Sequence, residues 1–274
     1  MQEFKNALFG INRVTALGLG GSRGLGLADA NSDYDFVLFR NGGEPIAPKL
    51  IVDTIKPFAE EGSIKDEAGF VRLQLNGNKI DIFQKDLFLV ENEINLAKAG
   101  KFHWSIRQLF PHGDLSTCQI SHITNLELCA EKNQSISKLR KLAEPFPLLL
   151  MNSLINIFMT QASITLIHAS KIKKTRDFQP LIALCSAFFF HASIVIFAAN
   201  KTYPVLEKGA NELISKLDKH PENYDNRILK IFQACLDGNI EFVIAELTNI
   251  KNELQIIIND TVTNLKTVKT DTTN

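Results

Sequence analysis

Two aspartates separated by one residue, Asp33 and Asp35, stand at the head of an apolar run and could hold divalent metal ions. Side chains two apart in a strand point to the same face, so the two carboxylates project together. Mg²⁺ prefers such oxygen ligands and keeps coordination positions for phosphate oxygens. Upstream, Gly21 and Ser22 end an earlier apolar run, and small residues there let backbone N–H groups and a hydroxyl approach a phosphate closely. Residues 14–39 therefore predict one phosphate-and-metal site.

The glycines of this stretch allow a competing interpretation, the glycine-rich turn of a short-chain dehydrogenase. That fold needs a long helix directly after Gly26, an acidic residue for the ribose, and a tyrosine followed four residues later by lysine. The chain instead continues with a short polar loop at 27–32, and none of its three tyrosines has lysine at the fourth position. The metal-and-phosphate interpretation is preferred because it also explains the aspartates.

A third carboxylate is expected on a later hairpin, in the segment VRLQLNGNKIDIFQ. Asn76-Gly77 is a strong signal for a two-residue hairpin turn. With these two residues in the turn, Asp81 lies opposite Arg72 on the polar side of the hairpin. The sequence thus predicts Asp81 beside a cation, and the structural alternative is that Asp81 serves only as the salt-bridge partner of Arg72.

The elements that must position these residues change character once along the chain. Up to about residue 115 short β-type runs alternate with glycine-containing turns, and from about residue 125 the apolar spacing is helical. The predicted strands are 14–19, 34–39, 71–75 and 79–83, and the predicted helices are 2–11, 49–61, 125–143, 147–171, 178–200, 206–217, 226–236 and 240–265. The expected fold class is α+β: a mixed sheet with flanking helices (1–120), a helical bundle (121–265) and a flexible tail (266–274).

Composition and charge limit the classes of partner. The chain has 274 residues with 30 basic and 30 acidic side chains, so no net charge steers it to nucleic acid or to anionic lipid. The four cysteines are widely spaced and the N-terminus lacks a secretory signal, which favours buried thiols and the cytoplasm. The uncharged segment 181–199 is long enough to span a membrane. A buried bundle helix is favoured, because polar residues dilute this segment and no second span is equally clean.

The spacing of these motifs resembles the nucleotidyltransferase superfamily with the DNA polymerase β-like catalytic fold. The most specific match is GGSRGLGLADANSDYDF, which contains Gly21-Ser22 and Asp33-Tyr34-Asp35, and KIDIFQ places Asp81 as the family's third carboxylate. Among subfamilies, the chain is most similar to bacterial aminoglycoside-type nucleotidyltransferases, which join this catalytic domain to a helical one. The segments RDFQPLI and FAANKTYPVLEKG resemble such proteins more loosely, and the second of them suggests Lys208 as a nucleotide contact.

This resemblance implies a metal-dependent transfer of a nucleoside monophosphate, AMP from ATP, to a hydroxyl of a small molecule such as an aminoglycoside-like compound. The implied site residues are Asp33, Asp35 and Asp81 for catalysis and for two Mg²⁺ ions, and Gly21, Ser22, Arg23 and Lys208 for the nucleoside triphosphate co-substrate. The alternatives are transfer to a protein or RNA hydroxyl, against which zero net charge weighs for RNA, and a non-catalytic nucleotide-binding module. The acceptor, the preferred base and the oligomeric state, a homodimer included, are left open.

Several further residues have competing functional and structural interpretations. Trp104 and His103 could line the acceptor cleft, and the basic run 171–176, which ends at Arg176, could contact phosphate. The structural alternatives are packing for Trp104, a satisfied polar group for His103 and a solvated helix end for the basic run. His191, on an apolar helix, is expected to be a buried and hydrogen-bonded side chain.

Overall fold

The structure, a computed structural model, describes residues 1–67, 69–107, 110–172, 178–206 and 208–271. Its first elements are α1 (Gln2–Gly10), β1 (Ala16–Leu19), α2 (Gly21–Gly24), β2 (Tyr34–Arg40), α3 (Pro48–Ile55), β3 (Lys65–Glu67), β4 (Phe70–Leu75), β5 (Asn78–Asp86), α4 (Leu87–Lys98), β6 (Trp104–Arg107) and β7 (Phe110–Leu115). The chain continues with α5 (Cys118–Asn125), β8 (Glu127–Glu131), α6 (Ser135–Ala143), α7 (Leu148–Ser170), α8 (Phe178–Ala199), α9 (Ala210–Ile214), α10 (Tyr224–Leu236) and α11 (Ile240–Asp271). The predicted α+β class with a mixed sheet is confirmed.

The chain divides into two compact units, each assembled from two stretches. Unit 1 consists of Met1–Leu96 and Gln119–Pro145, and Unit 2 consists of Ala97–Cys118 and the chain from Phe146 onwards. This grouping differs from the single boundary expected at 120/121. The reason is that β8 returns to the sheet of Unit 1 and pairs with β1.

The sheet of Unit 1 has six strands in the order β3-β4-β5-β2-β1-β8. Strands β2 and β5 are parallel, whereas the other neighbouring pairs are antiparallel. Phe36, Val37, Leu38 and Phe39 of β2 are all buried. Such a continuous apolar run is typical of a central strand that is covered on both faces.

Alternation along β2 and β5 divides the side chains between the two faces of the sheet. On one face, Phe36 packs 5.6 Å from the Phe4 ring of α1, measured between ring centroids. The other apolar residues on this face and on α1 and α3 are Leu38, Ile80, Ile82, Leu8, Ile51 and Ile55. On the opposite face, Lys85 Nζ donates to Gln119 Oε1 of α5 at 2.8 Å. Asp35 and Asp81 belong to this second face because they lie an even number of residues from Val37 and Lys85.

The β4–β5 hairpin has the predicted turn and register. Asn76 and Gly77 both have positive φ values, 52° and 75°, as a two-residue type I′ turn requires. Leu73 therefore pairs with Ile80, and Arg72 pairs with Asp81. The local sequence was sufficient here because the turn alone sets the register of a short hairpin.

The predicted helix 49–61 ends early, at Ile55, and two other predicted helices differ more from the structure. Residues 127–131 of the predicted helix 125–143 form the edge strand β8, and positive φ values at Asn133 and Gln134 separate it from α6. Long-range pairing with β1 thus overrides a local preference for helix. Among the described residues of the predicted helix 206–217, the helical ones are those of the short helix α9, which begins after Gly209 at φ 92°.

Unit 2 contains the β6–β7 hairpin and the helices α7 to α11. Helix α7 packs against α8, and α11 contacts α7, α8 and α10. Two of these helices, α7 and α8, are long and apolar enough by length and composition to cross a membrane, and 39% and 67% of their most apolar windows are buried. The four cysteines are free thiols. Burial raises the pKa of Cys185, whose Sγ lies 3.7 Å from Cys235 Sγ.

Phe36→Ala is expected to lower the free energy of unfolding by about 3–5 kcal/mol, because it opens a cavity at a fully buried ring. Urea unfolding followed by circular dichroism measures the loss. Phe88→Ala is the control, since the Phe88 side chain is exposed and its removal should change stability by less than about 0.5 kcal/mol. Equal effects of the two substitutions would contradict this description of the core.

Candidate functional site

A row of charged side chains crosses four neighbouring strands of the Unit 1 sheet. Asp35 of β2 pairs in register with Asp81 of β5, Asp81 with Arg72 of β4, and Arg72 with Lys65 of β3. Residues in register on adjacent strands are roughly 5 Å apart and point to the same face. The row therefore reads acid, acid, base, base from the centre of the sheet to its edge.

The backbone after β1 packs directly against the first carboxylate of this row. Gly20 N donates to Asp35 O at 2.8 Å. Gly21 has φ +55°, and a Cβ added to it would lie 1.9 Å from Asp35 Oδ2. Only glycine fits this position, for both conformational and steric reasons. The predicted neighbourhood of Gly21 and Asp35 is thus present in the structure.

Asp81 and Arg72 form a bidentate ion pair. Arg72 Nε donates to Asp81 Oδ1 at 2.7 Å, and Arg72 Nη2 donates to Oδ2 at 2.8 Å. The Asp81 side chain is 9% exposed, whereas that of Arg72 is 41% exposed. The hydrogen bonds to Asp81 raise the pKa of Arg72, so the guanidinium stays charged. A buried carboxylate of this kind needs a cationic partner to offset its desolvation.

Asp33 lies immediately before β2 and is half-buried. It lines a groove of about 450 Å³ in Unit 1 together with Arg72, Lys65 and Lys79. The charge of Asp33 also contributes to the raised pKa of Arg72. Asp33 is thus close enough to the charged row to act on it electrostatically.

Arg23 closes the loop that connects the glycine turn to the aspartates. Its Nη2 donates to Ser32 O at 2.7 Å and its Nε donates to Asp33 O at 3.2 Å. The guanidinium also stacks over the Tyr34 ring, 3.7 Å from the ring centroid. These contacts make Arg23 a clamp on the backbone, a structural role that its sequence context did not predict.

The remaining candidate residues are distributed over both units. Ser22 is half-buried in α2 and directly follows Gly21, the glycine that packs against the Asp35 carboxylate. Lys208 is exposed in Unit 2, before α9. Trp104 packs against Phe158 with 5.1 Å between ring centroids. Arg176 and the other residues at 173–177 lie outside the described residues.

His103 and His191 both lie in Unit 2, among residues of the fold rather than beside the charged row. His103 N donates to Ser116 Oγ at 3.1 Å. His191 is buried, and its Nδ1 has no hydrogen-bond partner among the described residues, so the expectation of a hydrogen-bonded side chain is wrong for this atom. Burial lowers the pKa of His191 to about 4, which keeps the ring neutral at pH 7.

Asp86, the other carboxylate of β5, belongs to a separate cluster. It accepts from Arg40 Nη1 at 2.8 Å and from Gly42 N at 2.8 Å. It follows Asp81 by five residues, which is roughly 17 Å along a strand. Asp86 therefore has no place beside Asp35, and its role is to fix the loop after β2.

The donor chemistry of the row suits a hard divalent cation, because Asp35 and Asp81 place two carboxylates side by side on one face. The backbone at Gly21, called the glycine cradle below, packs against the Asp35 carboxylate and limits its position. Within the described ranges, no group of three or more His, Cys, Asp or Glu side chains is arranged to hold a metal ion. Both Asp81 oxygens instead accept hydrogen bonds from Arg72.

Lys65 and Lys79 are the site residues that sequence reasoning missed. For Lys79 the sequence did contain a signal, because the predictable hairpin register pairs Lys79 with Gln74 at the end of the hairpin. The pairing of Lys65 with Arg72 could not be read from the sequence, because the segment 65–67 is a short, exposed and charged edge strand.

Comparisons of this chain with protein families and curated proteins found no match, whereas solved structures similar to it were found. A crystal structure of a nucleotidyltransferase-like protein from Exiguobacterium sibiricum 255-15 aligns over 96% of this chain and 78% of its own, with 9% identity and a TM-score of 0.45. Similarity at this level is a likeness of outline and adds nothing to the assignment of individual residues.

Proposed function

We propose that this chain is a metal-dependent nucleotidyltransferase. It would transfer a nucleoside monophosphate, AMP from ATP, to a hydroxyl of a small molecule such as an aminoglycoside-like compound. The observation that carries the proposal is the register of Asp35 with Asp81 on one face, with Gly21 packed against the Asp35 carboxylate. The glycine packed against Asp35, the paired acids and a groove that contains Lys65, Arg72 and Lys79 beside Asp33, Glu60 and Glu61 together suit a metal-bound triphosphate.

The residues that would hold Mg²⁺ are Asp33, Asp35 and Asp81, whose hard oxygen atoms match its preference. Two bound ions would neutralise charge on the triphosphate and on the departing pyrophosphate. Ser22 and the backbone at Gly21 would hold triphosphate oxygens, since small residues permit close approach there. Arg23 would support them indirectly, by keeping the loop before Asp33 closed.

The proposed transfer exchanges one phosphorus–oxygen bond for another and releases the proton of the acceptor hydroxyl. The bond that forms joins the acceptor oxygen to the α-phosphorus, and the bond that breaks joins this phosphorus to the oxygen of the leaving pyrophosphate. Asp81 would accept the proton of the acceptor hydroxyl as general base. Lys65 and Lys79 line the groove beside Asp33 and would offer positive charge to an anionic ligand there. Lys208, exposed in Unit 2, stays a proposed nucleotide contact.

A non-catalytic nucleotide-binding module is the second candidate. The observation in its favour is the bidentate bond of Arg72, which occupies both oxygens of the proposed general base. A chain of this kind would bind a triphosphate and release no pyrophosphate. The two candidates therefore differ in turnover rather than in binding.

The experiment for the proposal is a thermal-shift assay with each of the four common nucleoside triphosphates and Mg²⁺ or Mn²⁺. A ligand that binds only the folded state at 100 times its Kd stabilises it by about 2.7 kcal/mol, so the melting temperature should rise. In the variant carrying Asp33→Asn and Asp35→Asn, the metal-dependent part of this shift should disappear.

Two controls accompany this assay. NADPH without metal should give no larger shift than a generic adenine nucleotide, because Asp33 and Asp35 repel an unmetallated pyrophosphate. A wild-type protein that shows no metal-dependent shift with any triphosphate would refute the site. Pyrophosphate release, measured on the same samples with hydroxylated acceptors, separates the transferase from the non-catalytic module.

A further inference from the structure

Two cations compete as partners of the buried Asp81 carboxylate: the Arg72 guanidinium and the proposed divalent metal ion. The proposed function requires a divalent ion at Asp81, yet the Arg72 guanidinium already meets both Asp81 oxygens at 2.7 and 2.8 Å. Because Asp35 lies in register beside Asp81, the two acids would repel each other without a cation. In the structure, Arg72 supplies that cation.

Arg72 differs from its partner in having alternatives to this contact. Its side chain is 41% exposed, whereas that of Asp81 is 9% exposed. Its Nη1 also lies 3.9 Å from Glu67 Oε1, and its guanidinium carbon lies 5.1 Å from the Phe70 ring centroid. Arg72 lines the groove of about 450 Å³ together with Lys65 and Lys79, and Glu60 and Glu61 line it too. A long, half-exposed side chain of this kind can turn toward the groove without unfolding the sheet.

We propose that Arg72 is a latch on the site: it holds the Asp81 carboxylate while no metal is bound, and it releases at least one carboxylate oxygen to a divalent cation. The released guanidinium then faces the groove beside Lys65 and Lys79, where its fork of donors matches a phosphate group. The inference rests on the proposed function for the identity of the metal site. It adds that metal and Arg72 compete for Asp81.

The test is a Mn²⁺ titration without nucleotide, followed by the electron paramagnetic resonance signal of free Mn²⁺. Arg72→Gln removes the competing charge, so the Kd of this variant for Mn²⁺ should be about tenfold lower than the wild-type Kd. This change corresponds to about 1.4 kcal/mol of binding free energy. Mn²⁺ should also raise the melting temperature of Arg72→Gln more than that of the wild type, since the ion replaces a missing partner of a buried acid.

Arg40→Gln is the matched control. Arg40 of β2 and Asp86 of β5 form a similarly short ion pair, with side chains 11% and 9% exposed. This pair lies at the other end of the strands from Asp35 and Asp81. Its removal should leave Mn²⁺ affinity unchanged. A tightening by Arg40→Gln equal to that by Arg72→Gln would overturn the latch.

Other outcomes are equally decisive. An unchanged or weaker Mn²⁺ affinity in Arg72→Gln overturns the latch and leaves the proposed function intact, because the wild type still binds metal. No Mn²⁺ binding in either protein overturns the latch and the metal site together. Tighter Mn²⁺ binding without triphosphate binding or pyrophosphate release supports the latch and refutes the transferase. If Arg72→Gln does not fold, Arg72→Lys replaces it, with a smaller tightening expected because lysine lacks the bidentate fork.

Discussion

Asp35→Asn is expected to abolish both metal-dependent triphosphate binding and turnover. Asp35 stands at the centre of the charged row, in register with Asp81 and against the glycine cradle. In the proposed function Asp35 would be one of the residues that hold Mg²⁺, so its loss would weaken both the binding of the triphosphate and the stabilisation of the reacting phosphate. We expect turnover to fall at least about a thousandfold, or about 4 kcal/mol at about 1.36 kcal/mol per decade.

Asp81→Asn should separate binding from chemistry. If Asp81 is the general base, its loss should lower turnover by about 10²–10⁴-fold while triphosphate affinity stays close to that of the wild type. Loss of the ion pair with Arg72 should lower the free energy of unfolding only slightly, because the Arg72 guanidinium is half-exposed and water can solvate it.

The assay for both variants is pyrophosphate release with a panel of aminoglycosides, lincosamides and simple polyols, alongside a nucleotide titration. Asp66→Asn is the control, because Asp66 is an exposed carboxylate on the same sheet, paired with Val71 rather than with the charged row. Wild-type turnover in Asp81→Asn with an accepted substrate would reduce Asp81 to the salt-bridge partner of Arg72.

Gly21→Ala is expected to disable the site while the fold survives. The added methyl group would lie 1.9 Å from Asp35 Oδ2, roughly 1.5 Å closer than the 3.4 Å of ordinary van der Waals contact. The carboxylate would have to move by that amount, and a displacement of about 1 Å at a reacting centre can cost about 10²-fold in rate. Mn²⁺ affinity and pyrophosphate release should therefore both fall.

Gly26→Ala separates this clash from backbone strain. Gly26 has φ +70°, similar to the +55° of Gly21, but a Cβ there meets no atom within 4 Å. Each alanine should cost about 1–2 kcal/mol of stability for the left-handed conformation. Only Gly21→Ala should lose metal binding, and a comparable loss in Gly26→Ala would mean that strain in the loop, not contact with Asp35, is responsible.

The candidate site was predictable from sequence where short-range rules apply. Asn76-Gly77 defined the hairpin register and with it the pairing of Arg72 with Asp81, because a two-residue turn leaves no freedom in a short hairpin. Alternation along β2 likewise separated Asp35 from the core side chains Phe36 and Leu38.

Other features were beyond local rules. The strand at 127–131 was predicted as helix, since its residues tolerate either conformation and pairing with the distant β1 decides between them. Arg23 carried a charge that suggested a ligand contact, yet the loop carbonyls of Ser32 and Asp33 are its partners. Which acceptor a long side chain reaches depends on the folded positions of both groups.

The sequence by itself determined the α+β class, the acidic pair beside the glycine turn and the hairpin that carries Asp81. Turn chemistry and side-chain alternation act within a few residues, so they can be read without knowing the fold. The tertiary structure decided that Asp35, Asp81, Arg72 and Lys65 share one row, because this depends on the strand order β3-β4-β5-β2. It also decided that Arg72 occupies both Asp81 oxygens, since a carboxylate buried by the sheet takes the nearest cation to offset its lost hydration.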